Sequence, residues 1–582
     1  MLMAADPIQE SILQRQDARS HALSLPELLS PIFEFIPDVE PGRDGWTIKS
    51  KFTPFALVCR AWFIPAIRKI WRRSSPGAVV ILIPSWKEFI YETEFPTTKY
   101  QKHTPEEIDD VVIRNGWRED RRRYDWSLWA KSLRPKDYNR FIFYQQYIIT
   151  MTNFHSSVPQ VIMDAFINAP SSPFQPGISQ PFHNLSKIAW NLPMVSPEGW
   201  PQEQISLSVL QLVSVHAQQI RSLTLDNIGI ILPLAHLRVP LFLSQLVCLE
   251  DISLPFSPSP VLAVCLEALS RIKHLSRIVA IHPFNGDNTF NPVLYKGSFP
   301  ALKTLHIRWS LEDILSFFRL DNAPTGLQTL TMYHGPASTL SSPQVMMDAF
   351  REITKRCENI EHFHSSYDHQ VWDNFEPDIV TFEMLEPLSR LHRIEEFELT
   401  TPFNIGLTDT EVIRLVSRWR GLRLFKLVGS TAGKHWVEPG PTTNMLKLLA
   451  QCCPDLHILR LSISFKLADV PRQEPKDHVP LFPALEILET FPGVVQIFDS
   501  PPSYGGVHYL VSACPLTCEI SCRFPGWVED NADVDADADV RQVLLWNDRA
   551  HLEILRKQRE CLVKKVCTLE DIIRQLKPQL RI

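Results

Sequence analysis

The chain lacks the long apolar runs and the excess of charge that would place it in several common classes of protein. No stretch approaches the roughly 20 apolar residues that a membrane helix needs, and the first residues show no signal-peptide pattern. The formal net charge is only -6 over 582 residues, which argues against a general nucleic-acid binder. We therefore expect an intracellular protein, cytoplasmic or nuclear, whose partners include neither a membrane nor nucleic acid.

Motifs for catalysis or for binding a cofactor are also missing. The sequence contains no G-x-G-x-x-G or Walker motif and no serine in a glycine elbow. The histidines of residues 361–369 lack the fixed spacing of zinc motifs, and the aspartates of residues 530–540 lack the glycine and the last carboxylate of a calcium loop. We predict no catalytic residue, no metal, no cofactor and no enzymatic activity.

The cysteines show no disulfide framework. There are eleven, an odd number, and most lie in apolar segments. Cys514, Cys518 and Cys522 follow one another at intervals of four, without a paired C-x-x-C motif. The pattern predicts reduced thiols that pack in the core.

What the sequence does contain is an internal repeat, in which apolar residues occupy the first, fourth and sixth positions. Clear copies read LKTLHI from Leu302 and LRLFKL from Leu422. The full set starts at Leu185, Ile220, Leu249, Leu275, Leu302, Leu327, Ile360, Ile394, Leu422, Leu456, Leu485 and, more weakly, Val507. The alternation at the end of each copy predicts a half-buried strand.

Helical patterns separate the copies, for example at residues 259–274, 342–357 and 408–420. Repeated strand and helix predict an α/β solenoid, with parallel strands on its concave face and helices outside. A Rossmann-like domain is the competing fold, but so many copies of one motif exceed what such a sheet normally holds. Residues 78–84 read as a further strand that could begin the array, and residues 96–140 form a polar insertion without an assignment.

The strand pattern also predicts which side chains face outward, on the concave side. Repeat arrays commonly use this face for recognition, and its mixed charge suits a protein target better than catalysis. The candidate target-binding residues are Thr304, His306, Arg308, Thr331, Tyr333, His362, His364, Glu396, Glu398, Lys426 and Arg460.

Three short helices are predicted ahead of the array. Ser24 and Glu27 have the spacing of a capping box, with Pro26 in the first turn. A second helix follows Thr53, and we expect Pro65 to end it and to open a third. Helices this short are marginal alone, and their apolar surface is more than a bundle of this size can hide, which indicates an interface.

The order LPELLSPIF, LVCRAW, AIRKIW over residues 23–73 resembles the F-box, a helical module that docks on a Skp-type adaptor and so links its carrier to a cullin. The repeats resemble the irregular leucine-rich repeats common after fungal F-boxes. By resemblance, the adaptor-facing residues are Leu25, Pro26, Leu28, Leu29, Ile32, Phe33, Val58, Cys59 and Trp62. The resemblance implies the substrate-recognition subunit of an SCF-type cullin ubiquitin ligase, involved in ubiquitin-dependent degradation. The alternative is an F-box scaffold that acts without cullin-dependent ubiquitination.

The C-terminal residues 541–577 carry leucines, valine and isoleucine on alternating positions of a seven-residue repeat. This predicts a long helix, which either self-associates as a coiled coil or packs on the solenoid. The expected organisation is a disordered segment 1–22, an F-box-like module 23–75, irregular first repeats with a polar insertion 76–180, the repeat array 181–525, an acidic linker 526–540 and the helix 541–577.

Overall fold

The computed structural model describes a defined set of residues. They are 60–74, 143–152, 182–190, 213–214, 216–225, 235–254, 259–281, 292–334, 343–367, 379–429, 440–463, 480–492, 513–515, 518–522, 559 and 563. Segments 1–22, 78–84, 96–140 and 526–540 therefore lie outside the described residues, as does nearly all of 541–577.

The chain divides into two compact units, Met1–Ile278 and Val279–Ile582. The first contains α1 (Arg60–Trp71), β1 (Arg73–Ser74), β2 (Thr150–Met151), β3 (Lys187–Trp190), β4 (Ser222–Leu225), α2 (Ala235–Leu243), β5 (Asp251–Leu254) and α3 (Ser259–Leu269). Strands β1 to β5 are parallel, and each pairs with the next in the chain. The boundary between the units falls within β6 (Arg277–Ile281).

Helix α1 differs from the sequence expectation, because it continues through Pro65 instead of ending there. Proline cannot donate to the carbonyl of Ala61, and an interior proline costs about 3 kcal/mol. Beyond it, however, Ile67 and Ile70 are buried, and each buried aliphatic side chain contributes roughly 1.5–3 kcal/mol. Packing of this apolar face therefore outweighs the lost hydrogen bond.

The second unit continues the alternation of strand and helix. It contains β7 (Thr304–Arg308), α4 (Leu311–Arg319), β8 (Thr329–His334), α5 (Pro343–Arg356), β9 (His362–Tyr367), β10 (Ile379–Val380), α6 (Phe382–Leu385), a 3-10 helix (Glu386–Arg390), β11 (Glu396–Thr400), β12 (Asn404–Ile405), α7 (Asp409–Val416), β13 (Leu424–Val428), α8 (Asn444–Cys452), β14 (Ile458–Ile463), β15 (Ile487–Pro492) and β16 (Glu519–Cys522). Its main sheet is parallel in the order β7-β8-β9-β11-β13-β14-β15-β16, and β10 pairs with β12 in a second sheet of two strands.

This architecture confirms the predicted α/β solenoid of parallel strands and helices. Every repeat copy from Leu185 to Leu485 contains a strand. The weak copy at Val507 lies outside the described residues, and β16 was not predicted. The helix predicted over 408–420 begins as expected, since Thr408 and Glu411 form a capping box, but it ends at Val416. None of the helices in the described part of the chain is long and apolar enough to cross a membrane.

A recurring backbone arrangement aligns the repeats. The carbonyl of Glu361 accepts hydrogen bonds from the amides of Glu395 and Glu396, at 2.8 and 3.1 Å. The carbonyl of Glu395 accepts in the same way from Arg423 and Leu424, at 2.7 and 3.1 Å. We call this two-to-one pattern the backbone clamp. It precedes strands in both units, and it places the same position of each repeat side by side.

Aromatic rings fill the core of the second unit at one repeat position. Phe363, Phe397 and Phe425 are in register on β9, β11 and β13. Their ring centroids are 5.8 and 5.7 Å apart and the rings are stacked, while Trp419 lies 4.9 Å from Phe397. All four side chains are fully buried. Aromatic pairs of this kind add about 0.5–1.5 kcal/mol beyond area burial, so this row joins three repeats.

The segment after β11 crosses close to the end of β13. The amide of Thr401 donates to the carbonyl of Val428 at 2.9 Å, and the amide of Gly429 donates to Ser462 Oγ at 3.1 Å. A Cβ at Gly429 would lie 2.7 Å from the carbonyl oxygen of Phe403. Only glycine allows two backbones to approach this closely.

Seven cysteines in the described part of the chain are free thiols, as the sequence predicts: Cys248, Cys265, Cys357, Cys452, Cys453, Cys514 and Cys518. Burial raises the pKa of Cys265 and Cys357 to about 12. Thiols of this kind remain protonated and act as packing groups.

Candidate functional site

The solvent side of the main sheet in the second unit is formed by the first and third positions of each strand. In β13, for example, Leu424 and Lys426 are half-buried whereas Phe425 and Leu427 are buried. The first row contains Thr304, Thr329, His362, Glu396, Leu424, Ile458 and Ile487, and the third row contains His306, Thr331, His364, Glu398, Lys426, Arg460 and Glu489.

The structure brings the predicted target-facing residues together. Nine of the eleven lie in these two rows, and Arg308 and Tyr333 occupy the fifth positions of β7 and β8. Tyr333 is 49% exposed, but Thr331 is only 6% exposed. Thr331 therefore departs from the expectation, because a short side chain in register between His306 and His364 is covered by its larger neighbours.

Two histidines and two glutamates on β9 and β11 form one group. His364 lies between the two carboxylates, with its Nε2 3.3 Å from Glu396 Oε2 and its Nδ1 3.2 Å from Glu398 Oε2. His362 Nδ1 is 3.2 Å from the same oxygen of Glu396. Among the described residues, no group of three or more His, Cys, Asp or Glu is arranged to hold a metal ion. The arrangement links neighbouring strands through polar contacts.

Glu398 also pairs with Lys426 on the next strand. Burial would raise the pKa of Glu398, but hydrogen bonds from His364 and Lys426, together with their charges, outweigh burial and lower the pKa to about 2. A third pair follows at Arg460 and Glu489, with Nε 2.9 Å from Oε2. Charge pairs thus join β9, β11 and β13, and separately β14 and β15, which fixes the shape of this face and neutralises much of its charge locally.

The rows extend the predicted set by five residues that sequence reasoning missed: Thr329, Leu424, Ile458, Ile487 and Glu489. In LQTLTM, LRLFKL, LHILRL and LEILET they occupy the third or fifth position, which the predicted residues occupy in the other copies. The repeat pattern alone could have found all five. Three of them are apolar, so a search for polar recognition groups does not select them.

Charges on this side are sorted by strand. We define the striped patch as the residue before each strand and its first and third positions on β9, β11, β13, β14 and β15. Its members are Glu361, His362, His364, Glu395, Glu396, Glu398, Arg423, Leu424, Lys426, His457, Ile458, Arg460, Glu486, Ile487 and Glu489. Acidic residues occupy β11 and β15, and basic residues occupy β13 and β14.

The predicted adaptor-facing residues fall almost wholly outside the described part of the chain. Eight of the nine lie outside it: Leu25, Pro26, Leu28, Leu29, Ile32, Phe33, Val58 and Cys59. Trp62 falls within helix α1. Their assignment as an adaptor-binding surface stays a prediction from the sequence.

No protein-family model matches the chain, and no curated protein matches it. Among solved structures, the chain is similar to the leucine-rich repeat-containing protein LegL7 from Legionella pneumophila. The match covers 59% of this chain and 98% of that chain at 11% sequence identity, with a TM-score of 0.24.

Proposed function

We propose that this protein is the substrate-recognition subunit of an SCF-type cullin ubiquitin ligase. Residues 23–75 bind a Skp-type adaptor and, through it, a cullin, while the solvent side of the second unit binds a target protein. The chain performs no chemistry itself. It raises the effective concentration of a target lysine near a charged conjugating enzyme, since positioning alone can supply much of a rate enhancement.

The observation that carries the proposal is the order of two different elements in one chain. Two separated apolar signatures that resemble the F-box, around Leu28 and around Trp62, precede an array of parallel strands. That array presents two aligned rows of half-buried polar and aliphatic side chains. A pre-formed face of this kind suits recognition of a protein surface, because little side-chain entropy is lost on binding.

Co-purification of the full chain with a Skp-type adaptor tests the proposal. Leu28→Asp combined with Trp62→Ala should abolish the complex, because a carboxylate at an apolar interface leaves a buried charge unpaired. Leu241→Asp is the matched control, since Leu241 is 69% exposed on α2 and its change should leave adaptor binding intact. Failure of the unaltered chain to bind the adaptor, or binding that survives the double change, refutes the proposal.

The scaffold alternative is separated by adding the cullin. The receptor proposal expects a complex of chain, adaptor and cullin that transfers ubiquitin to a bound protein. A chain that binds adaptor but never recruits cullin, at concentrations where a known F-box protein does, supports the scaffold instead.

A further inference from the structure

The striped patch carries an excess of negative charge. Of its fifteen positions, six are glutamate and three are lysine or arginine. Two of the three cations are already neutralised within the patch, because Lys426 pairs with Glu398 and Arg460 pairs with Glu489. The third cation is Arg423, whose Nη1 lies 3.8 Å from Glu395 Oε2. A charged partner that approaches this side therefore meets a predominantly acidic surface.

Three aliphatic side chains interrupt this charge. Leu424, Ile458 and Ile487 are in register on β13, β14 and β15 and lie in one line across the strands. They are half-buried on the solvent side, away from the core that Phe425 and Leu459 fill. Contiguous apolar side chains framed by charged groups are typical of a protein interface.

The framing residues are the paired charges of the third row and the residues before the strands. Leu424 and Ile458 have basic neighbours on their own strands, whereas Glu396 lies beside Leu424 on β11 and Glu486, which is exposed, precedes Ile487 on β15. Interfaces often combine an apolar centre with a polar rim, and complementary charge at the rim speeds association and excludes wrong partners.

We propose that the striped patch binds a protein segment that places an aliphatic or aromatic side chain on Leu424, Ile458 and Ile487 and that places lysine or arginine over the glutamates of β11 and β15. Apolar burial over the three side chains supplies an anchor, and the excess glutamates select the basic residues. This inference rests on the proposed target-binding role and specifies the chemistry of the target.

Peptide binding to the full chain tests the inference. The probes are three fluorescein-labelled peptides of equal length, composed of arginine and leucine, of glutamate and leucine, and of arginine and serine. Fluorescence anisotropy should show the tightest binding for arginine with leucine, weaker and strongly salt-dependent binding for arginine with serine, and none for glutamate with leucine. Equal binding of the two leucine peptides, or no binding of either, overturns the inference.

Variants locate the binding. Ile458→Asp should weaken binding of the arginine and leucine peptide at least about tenfold, since loss of one anchor commonly costs a tenfold factor or more. Leu241→Asp, on a helix of the first unit, is the matched control and should change nothing. Ile458→Thr keeps strand propensity and gives the same readout if the aspartate variant fails to fold. Glu486→Lys should weaken binding and reduce its dependence on salt. Unchanged binding in folded Ile458→Thr and Glu486→Lys overturns the inference.

The peptide-binding experiment and the adaptor-binding experiment test different parts of the proposals. Peptide binding without adaptor binding leaves the patch assignment standing and refutes the ligase role. Adaptor binding without selective peptide binding leaves the ligase role standing and refutes the patch assignment.

Discussion

Replacing Gly429 by alanine tests the close approach of the segment after β11 to the end of β13. The new Cβ would lie 2.7 Å from the carbonyl oxygen of Phe403, 2.8 Å from Ile405 Cγ1 and 3.1 Å from the amide nitrogen of Ile405. Two of these three atoms belong to the backbone, so a rotamer change cannot relieve the clash. The segment that carries Phe403 must therefore move away from β13.

Two hydrogen bonds depend on the present position of this segment and of Gly429. The amide of Thr401 donates to the carbonyl of Val428, and the amide of Gly429 donates to Ser462 Oγ. Each contributes about 1 kcal/mol, and overpacking costs about 1–3 kcal/mol. We expect Gly429→Ala to lower the free energy of unfolding by about 3–5 kcal/mol in total. The measurement is the shift of the urea unfolding transition, followed by tryptophan fluorescence.

Gly421→Ala is the matched control. Its nearest contact would be Glu395 Cγ at 3.9 Å, an ordinary van der Waals distance. This variant should be neutral or more stable by about 0.4–1 kcal/mol, because alanine reduces the entropy of the unfolded chain. Similar urea transitions for the two variants would refute the reasoning.

Three further predictions concern two buried groups and one half-buried group of the second unit. Burial lowers the pKa of His334 to about 4. In the unfolded state this imidazole has its ordinary pKa of 6.5, so between pH 6.5 and 4 the unfolded chain binds a proton that the folded chain does not bind. The free energy of unfolding should therefore fall by about 3 kcal/mol as the pH falls from 6.5 to 4. His334→Gln should remove that part of the pH dependence in urea titrations. Glu398→Gln should lower the free energy of unfolding at pH 7 by about 1–2 kcal/mol. It should also remove the loss of stability that protonation of Glu398 causes between pH 4.5 and 2. Glu386→Gln is the control, since Glu386 belongs to an exposed pair, and it should leave the unfolding midpoint nearly unchanged. Phe397→Ala should cost about 3–5 kcal/mol in the same assay, and Tyr333→Ala should cost less than about 0.5 kcal/mol; equal losses would contradict the assignment of the aromatic row to the core.

The strands were predictable because their burial repeats locally. In LRLFKL, alternation alone places Phe425 inside and Lys426 outside, and the structure agrees. The prediction that a helix ends at Pro65 was wrong, because a local rule about helices does not include the burial of Ile67 and Ile70 that offsets the cost of the proline. β12, with two residues, is too short to show any period.

The solvent side was predictable as a set of positions but not as a set of interactions. The low exposure of Thr331 and Glu489 depends on which side chains stand beside them, and that follows from the register between strands. The same register pairs Glu398 with both His364 and Lys426. No single repeat contains this information, because each partner belongs to a different one.

The backbone clamp has a consequence for how such a surface can change. Each clamp uses only main-chain groups and acts immediately before its strand, so alignment does not depend on the sequence or length of the connection that precedes it. Successive repeats here start 25 to 35 residues apart, yet their side chains stand in straight rows. Connections can therefore gain or lose residues while the spacing of recognition groups stays constant, and specificity can be altered one strand at a time.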